Sequence, residues 1–256
     1  MKKRLLALFL AMLLIPIYLP ARASAAEDGG TVTPVVINDA PISVCQPLDC
    51  AVDVINGDDY LYTTSSGIPA IFSVYNIDDR EVVASHKLTG LTTWNTNACW
   101  KHIIDSNHNV YLLCDITLFK YDPFQDTMTN LGQVWPSETR SFVIDKDEND
   151  NIYIGTYPGG KIIKYDPVQN EYSDLGTVEP GSKYVRSLVY HNGYLYAGVK
   201  GDGLTGKFYK INVSNPSEKV YYPLPDNTVV DPDYYRSDEI GWLYSMTSAG
   251  DYIIIW

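Results

Sequence analysis

Short β-rich runs separated by tight turns, in a unit that repeats every 44 residues, predict an all-β fold. Four such strands per unit make a four-stranded antiparallel blade, and blades set around one axis make a β-propeller, here of about five blades. Three observations carry this reading. Lys120-Tyr121-Asp122-Pro123 returns as Lys164-Tyr165-Asp166-Pro167, and Leu131-Gly132 returns as Leu175-Gly176, with the same step of 44. Two further landmarks keep the same order. One is Asn109-Val110-Tyr111, Asn151-Ile152-Tyr153 and Gly193-Tyr194-Leu195-Tyr196; the other is Thr139-Arg140-Ser141, Val185-Arg186-Ser187 and Tyr235-Arg236-Ser237. Finally, no stretch beyond the N-terminus sustains a helical period. The 21 Tyr residues and the Gly and Pro content fit strands joined by tight turns.

The N-terminus is read as a secretory signal peptide over residues 1–25. Lys2, Lys3 and Arg4 form a basic head, Leu5 to Ile15 is an apolar run, and Ala23-Ser24-Ala25 gives a small-x-small cleavage site. A membrane span would need about 20 apolar residues, and Pro16 interrupts this run. No Cys follows it closely to take a lipid. Removing the segment leaves 15 basic against 31 acidic residues, a formal charge of −16. Such a field repels nucleic acid and anionic lipid at long range. An exported protein without nucleic-acid partners or membrane insertion is therefore expected.

Residues 26–50 form an N-terminal segment. It holds Cys45 and Cys50, which flank Gln46-Pro47-Leu48-Asp49, a stretch expected to turn. The blades are expected at 51–88, 94–135, 136–178, 184–225 and 235–256. The third shows the unit most clearly. Ser141-Phe142-Val143-Ile144 is a first strand, Asp145 to Asp150 a turn, and Asn151 to Thr156 a second strand. Pro158-Gly159-Gly160 turns the chain into Lys161 to Tyr165, and Glu171 to Leu175 is the outer strand. An open ring exposes unpaired strand edges, so two arrangements remain. Either Thr31 to Asn38 supplies an outer strand that closes five blades, or these blades are the front part of a larger propeller. The apolar Ile253-Ile254-Ile255-Trp256 favours the second.

The unit Ile154-Gly155-Thr156-Tyr157-Pro158-Gly159-Gly160-Lys161, with its following Lys164-Tyr165-Asp166-Pro167 and Leu175-Gly176, resembles secreted bacterial β-propellers of the broad NHL, YVTN and quinoprotein-like group. The resemblance covers roughly residues 51–256, by the repeat spacing. It implies the fold. Members of the group include scaffolds, carbohydrate binders, lyases and oxidoreductases, so it implies no single activity.

Candidate site residues follow from the repeat. Arg140, Arg186 and Arg236 each open a blade's first strand, the strand that lines a propeller's channel. Arg binds carboxylate and sulfate in a bidentate fashion, so a ring of Arg points to an anionic glycan; pairing with a neighbouring blade's carboxylate is the structural alternative. Trp94, Trp100, Tyr157, Tyr184, Tyr234 and Tyr235 lie near those positions and offer faces for sugar rings. His102 or Tyr184 could serve as the base of a β-eliminating lyase, with an Arg stabilising the carboxylate. Asp145 to Asn151 has oxygen ligands like a calcium loop, but Asp150 stands where the loop needs Gly and Thr156 where it needs Glu, so no metal or cofactor is assigned.

Four Cys allow three disulfide pairings. Across the Asp105 to Asn109 turn, Cys99 falls opposite Cys114 or one step off. No CxxC, nucleophile elbow, phosphate loop or zinc-protease motif is present. The leading expectation is a secreted binding module for an extracellular glycan or protein. A polysaccharide lyase and a non-catalytic scaffold are its rivals.

Overall fold

A computed structural model of the chain describes residues 46–91, 97–201, 206–223 and 243–255. The expected signal peptide, the Thr31 to Asn38 strand, Cys45, Trp94, Tyr234, Tyr235 and Arg236 lie outside the described residues.

The described residues form β-strands without a helix. Blade one holds β1 (Gln46–Ile55), β2 (Asp58–Ser66), β3 (Ile71–Asn76) and β4 (Glu81–Lys87). Blade two holds β5 (Cys99–Ile104), β6 (Val110–Cys114), β7 (Thr117–Asp122) and β8 (Thr127–Gln133). Blade three holds β9 (Arg140–Lys146), β10 (Ile152–Tyr157), β11 (Lys161–Asp166) and β12 (Glu171–Thr177). Blade four holds β13 (Tyr184–His191), β14 (Tyr194–Lys200), β15 (Lys207–Asn212) and β16 (Asn215–Tyr222). A hairpin of β17 (Met246–Ala249) and β18 (Tyr252–Ile255) follows. Every blade is an antiparallel meander, and β1, β5, β9, β13 and β17 pack in succession as the innermost strands. This is the fold of a β-propeller.

The first blade starts earlier than its composition suggested. Gln46-Pro47-Leu48-Asp49 belongs to β1 and is no turn. Proline cannot donate to a ladder and is therefore placed at strand edges and bulges; Pro47 sits where the β1–β2 register shifts.

Local chemistry explains the first hairpins of the blades. Asn56-Gly57 and Asn192-Gly193 both take positive φ, 55° and 98°, 48° and 82°. That is the two-residue turn whose twist matches its strands. Blades two and three use a longer turn that Asp105 and Asp147 organise. The Asp105 carboxylate accepts the N–H groups of Asn107 and Asn109 and the Asn109 amide, each at 2.8 Å. Asp147 accepts those of Asn149 and Asn151, the Asn151 amide and the Tyr153 hydroxyl. The calcium-like loop is thus a self-bonded turn. Its Asp150 is also engaged, by Ser106 of blade two and by Lys146. Among the described residues no cluster of three His, Cys, Asp or Glu is arranged to hold a metal.

Blades pack face to face through apolar layers. Tyr62, Phe72 and Val74 meet Val110, Leu112, Phe119 and Tyr121. Tyr111, Leu113, Ile116 and Leu118 meet Ile144, Ile152, Ile154 and Tyr165. Val143, Tyr153 and Ile162 meet Val185, Leu195, Ala197 and Tyr209. The alternation of β6 and β7 explains how one blade serves two layers: successive side chains leave opposite faces of a strand. Each such side chain stabilises by roughly 1.5–3 kcal/mol when fully buried.

Candidate ligand site at the innermost strands

The innermost strands of blades one to four share one irregularity, and it builds the site. In β5 the pairing jumps from Cys99↔Cys114 to Lys101↔Leu113, leaving Trp100 unpaired. In β9 it jumps from Ser141↔Thr156 to Val143↔Gly155, leaving Phe142. In β13 it jumps from Val185↔Val199 to Ser187↔Gly198, leaving Arg186. In β1 the shift between Pro47 and Cys50 spans Leu48 and Asp49. A β-bulge adds one residue to a strand and re-aims its side chain. Leu48, Asp49, Trp100, Phe142 and Arg186 all line one cavity of ≈ 420 Å³, together with Tyr244, which precedes β17.

Arg186 is the centre of that cavity's aromatic end. Its guanidinium carbon stands 5.3 Å from the Trp100 ring, 4.8 Å from Phe142 and 5.0 Å from Tyr244. Trp100 and Phe142 meet edge to face at 5.2 Å. Cations are attracted to aromatic faces, more strongly where water is displaced. Burial depresses the Arg186 pKa, with Tyr244 acting in the other direction; an Arg side chain stays charged in proteins regardless. Among the described residues no carboxylate stands within ion-pair distance of it.

Two carboxylates line the same cavity with opposite tendencies. Burial works to raise the Asp49 pKa, but hydrogen bonding with His102 and the charge of Lys101 outweigh it and hold the carboxyl below its usual value. Burial wins at Asp145, whose pKa is pushed up although the N–H groups of Tyr190 and Lys146 donate to it at 2.7 Å and 2.9 Å. Asp49 receives the His102 N–H at 2.7 Å, and Lys101 Nζ lies 3.4 Å away.

The register corrects the expected Arg ring. Gly155 and Gly198 are equivalent, so Phe142 matches Arg186 and Arg140 matches Tyr184. Arg140 is exposed at the start of β9 and does not line the cavity. It lies near Asp115, where burial raises the carboxyl's pKa against the opposing charge of Arg140. Tyr184 stacks on Tyr157 at 4.3 Å and lies 6.2 Å from Phe142, so an aromatic run leads from the cavity toward both tyrosines.

His102 is not placed for acid–base chemistry on a ligand. Its side chain has no exposure. Nδ1 faces the Asp49 carboxylate at 3.3 Å and Nε2 faces the Thr64 hydroxyl at 2.8 Å. With Asp49 ionised, Nδ1 is the nitrogen placed to donate to it. The ring is a tie between blades one and two. Cys50, Cys99 and Cys114 are thiols here, and Cys99 pairs directly opposite Cys114.

Sequence reasoning missed Asp49, Lys101, Phe142 and Tyr244, and it read Asp145 as the start of a calcium-like turn where the structure has it in β9. Asp49, Lys101 and Phe142 lie two or three residues into a first strand, Asp145 near the end of one and Tyr244 just ahead of one, and the bulge that aims such residues has no marker of its own.

No family model matches the chain, and no curated protein matches it. Solved structures do. Virginiamycin B lyase from Staphylococcus aureus superposes with a TM-score of 0.54 at 13% identity, over 70% of this chain and 56% of the lyase. The extracellular domain of BT4673 from B. thetaiotaomicron gives 0.55 at 17% identity, over 81% of this chain and 26% of that one. A streptogramin B lyase gives 0.52 at 13% identity, over 73% and 57%. The chain thus spans little more than half of the lyases and about a quarter of the BT4673 extracellular domain. At these identities the likeness concerns the fold alone.

Proposed function

We propose that this chain is an extracellular propeller module that binds an anionic carbohydrate in the cavity ringed by Trp100, Phe142, Arg186 and Tyr244. One observation carries the reading: a half-buried guanidinium held among three aromatic rings, with no carboxylate of the described residues within ion-pair distance. A uronate carboxylate or a sulfate ester matches the guanidinium fork. The aromatic faces suit the apolar faces of sugar rings, and the run through Tyr184 and Tyr157 extends that surface. The volume falls in the usual range for small-ligand sites. The BT4673 match supports the extracellular setting.

The test is titration of the protein with sulfated and uronate oligosaccharides and their neutral counterparts, read by calorimetry. Saturable binding of the anionic ligands is expected. Arg186→Ala should weaken it at least about tenfold, in line with the loss of a charge-assisted bond, while Arg140→Ala leaves it unchanged. Equal affinity for neutral ligands, or full affinity in Arg186→Ala, overturns the reading. The two lyase matches keep a second reading in view, with Tyr184 as base. Ultraviolet absorbance from an unsaturated sugar product, lost in Tyr184→Phe, would establish it in place of simple binding.

A further inference from the structure

We propose that Cys99 and Cys114 form a cross-strand disulfide that clamps β5 to β6 beside the bulge carrying Trp100. The two residues stand directly opposite each other in the ladder. Asp115 N–H donates to the Ala98 carbonyl at 2.9 Å, which makes Ala98 and Asp115 a hydrogen-bonded pair. The next pair, Cys99 and Cys114, is therefore a non-hydrogen-bonded one. Opposed Cα atoms approach to about 4.5 Å in such pairs, inside the span that a disulfide bridges. Both side chains are fully buried. The Cys114 thiol donates to the Asn97 carbonyl at 3.4 Å, and the neighbouring Cys99 and burial hold it well above its usual pKa.

That environment dictates when the bond forms. A thiolate is the attacking species, and both thiols are fully buried in the folded chain, out of reach of an exchange partner. Oxidation belongs to the open chain during folding, by a disulfide-bearing exchange protein of an oxidising compartment. One cysteine thiolate attacks that disulfide and displaces a catalyst thiolate. The second cysteine thiolate then attacks the mixed disulfide, the Cys99–Cys114 bond forms, and the catalyst leaves as a dithiol. Two electrons pass to the catalyst, and the two protons released by the cysteines end on its sulfurs.

The clamp bears on the ligand cavity because Trp100 follows Cys99 and has no ladder partner of its own to hold it. The disulfide does not depend on glycan binding, and its test does not use a glycan.

The full chain is exported into an oxidising compartment, unfolded with an alkylating agent and no reductant, and digested for mass spectrometry. A linked pair of peptides holding Cys99 and Cys114, split by reductant, is expected. It should persist in a Cys45→Ser/Cys50→Ser variant. Alkylation of both residues, or linkage of either to Cys45 or Cys50, overturns the proposal. As a second readout, folded protein kept reduced throughout should leave both thiols unmodified by an aromatic disulfide reagent until it is unfolded. Rapid modification in the folded state contradicts the burial on which the proposal rests.

Discussion

Asp49 shows how one side chain serves both architecture and site. It lines the cavity, receives the His102 backbone N–H and faces the His102 ring. Its carboxyl is held below the usual value of 3.8, so its ionised form favours the folded state. The stabilisation is complete above 3.8 and is lost as pH falls through the lower folded value. Asp49→Asn should therefore cost about 1–3 kcal/mol at neutral pH, measured by urea unfolding. The gap from the parent protein should close in acid; a gap that stays constant down to strongly acidic pH would contradict this account. The neighbouring Thr64 tests the role of His102. Thr64→Val keeps the shape of the side chain but strands a buried imidazole nitrogen, at a cost of about 1–3 kcal/mol. Glycan affinity should not change, because Thr64 is fully buried between blades. A large loss of affinity with unchanged stability would make the imidazole part of the binding chemistry after all.

At the scale of elements, strands, hairpins and the pairing of Cys99 with Cys114 were legible, and the bulges of the first strands were not. Asn-Gly turns, the Lys-Tyr-Asp-Pro landmark and the alternation of Ile152 and Ile154 are local signals, and they mark strands wherever they occur. The Arg-Ser landmark misled, because it aligned Arg140 with Arg186 by identity. The ladders place these two residues two positions apart in the repeat. A bulge changes register without a composition of its own, so the aromatic and cationic ring at the cavity could not be read from spacing. Similarly, β1 was hidden by a proline that only a strand irregularity accommodates. The equivalent Gly155 and Gly198 offer an element-level prediction. A Cβ on Gly155 would meet Val185 Cγ1 at 2.7 Å, and one on Gly198 would meet the Leu243 Cβ at 2.7 Å. Gly155→Ala should cost about 1–3 kcal/mol through overpacking between blades three and four, seen as a lower denaturant midpoint with an unchanged slope. A neutral outcome would mean that those blades separate easily.

For the whole molecule, burial is uneven along the chain. The three layers between blades one and four hold fully buried Tyr, Phe, Leu and Ile. The last hairpin leaves Tyr252 75% and Ile254 48% exposed, and the outward face of β1 leaves Val52 44% and Val54 52% exposed. Local stability follows such differences. Amides of β6 and β10 should exchange with solvent deuterium only through global unfolding, while those of β18 exchange far sooner. Uniform protection across all sheets would show that the hairpin is held as firmly as the full blades. The unpaired residue of each first strand bears on how proteins of this kind diversify. It answers to no opposite strand, so a duplicated blade can change what it offers to solutes with a single codon while its ladder stays intact. The lining of the cavity can then change independently at each blade, without remodelled loops.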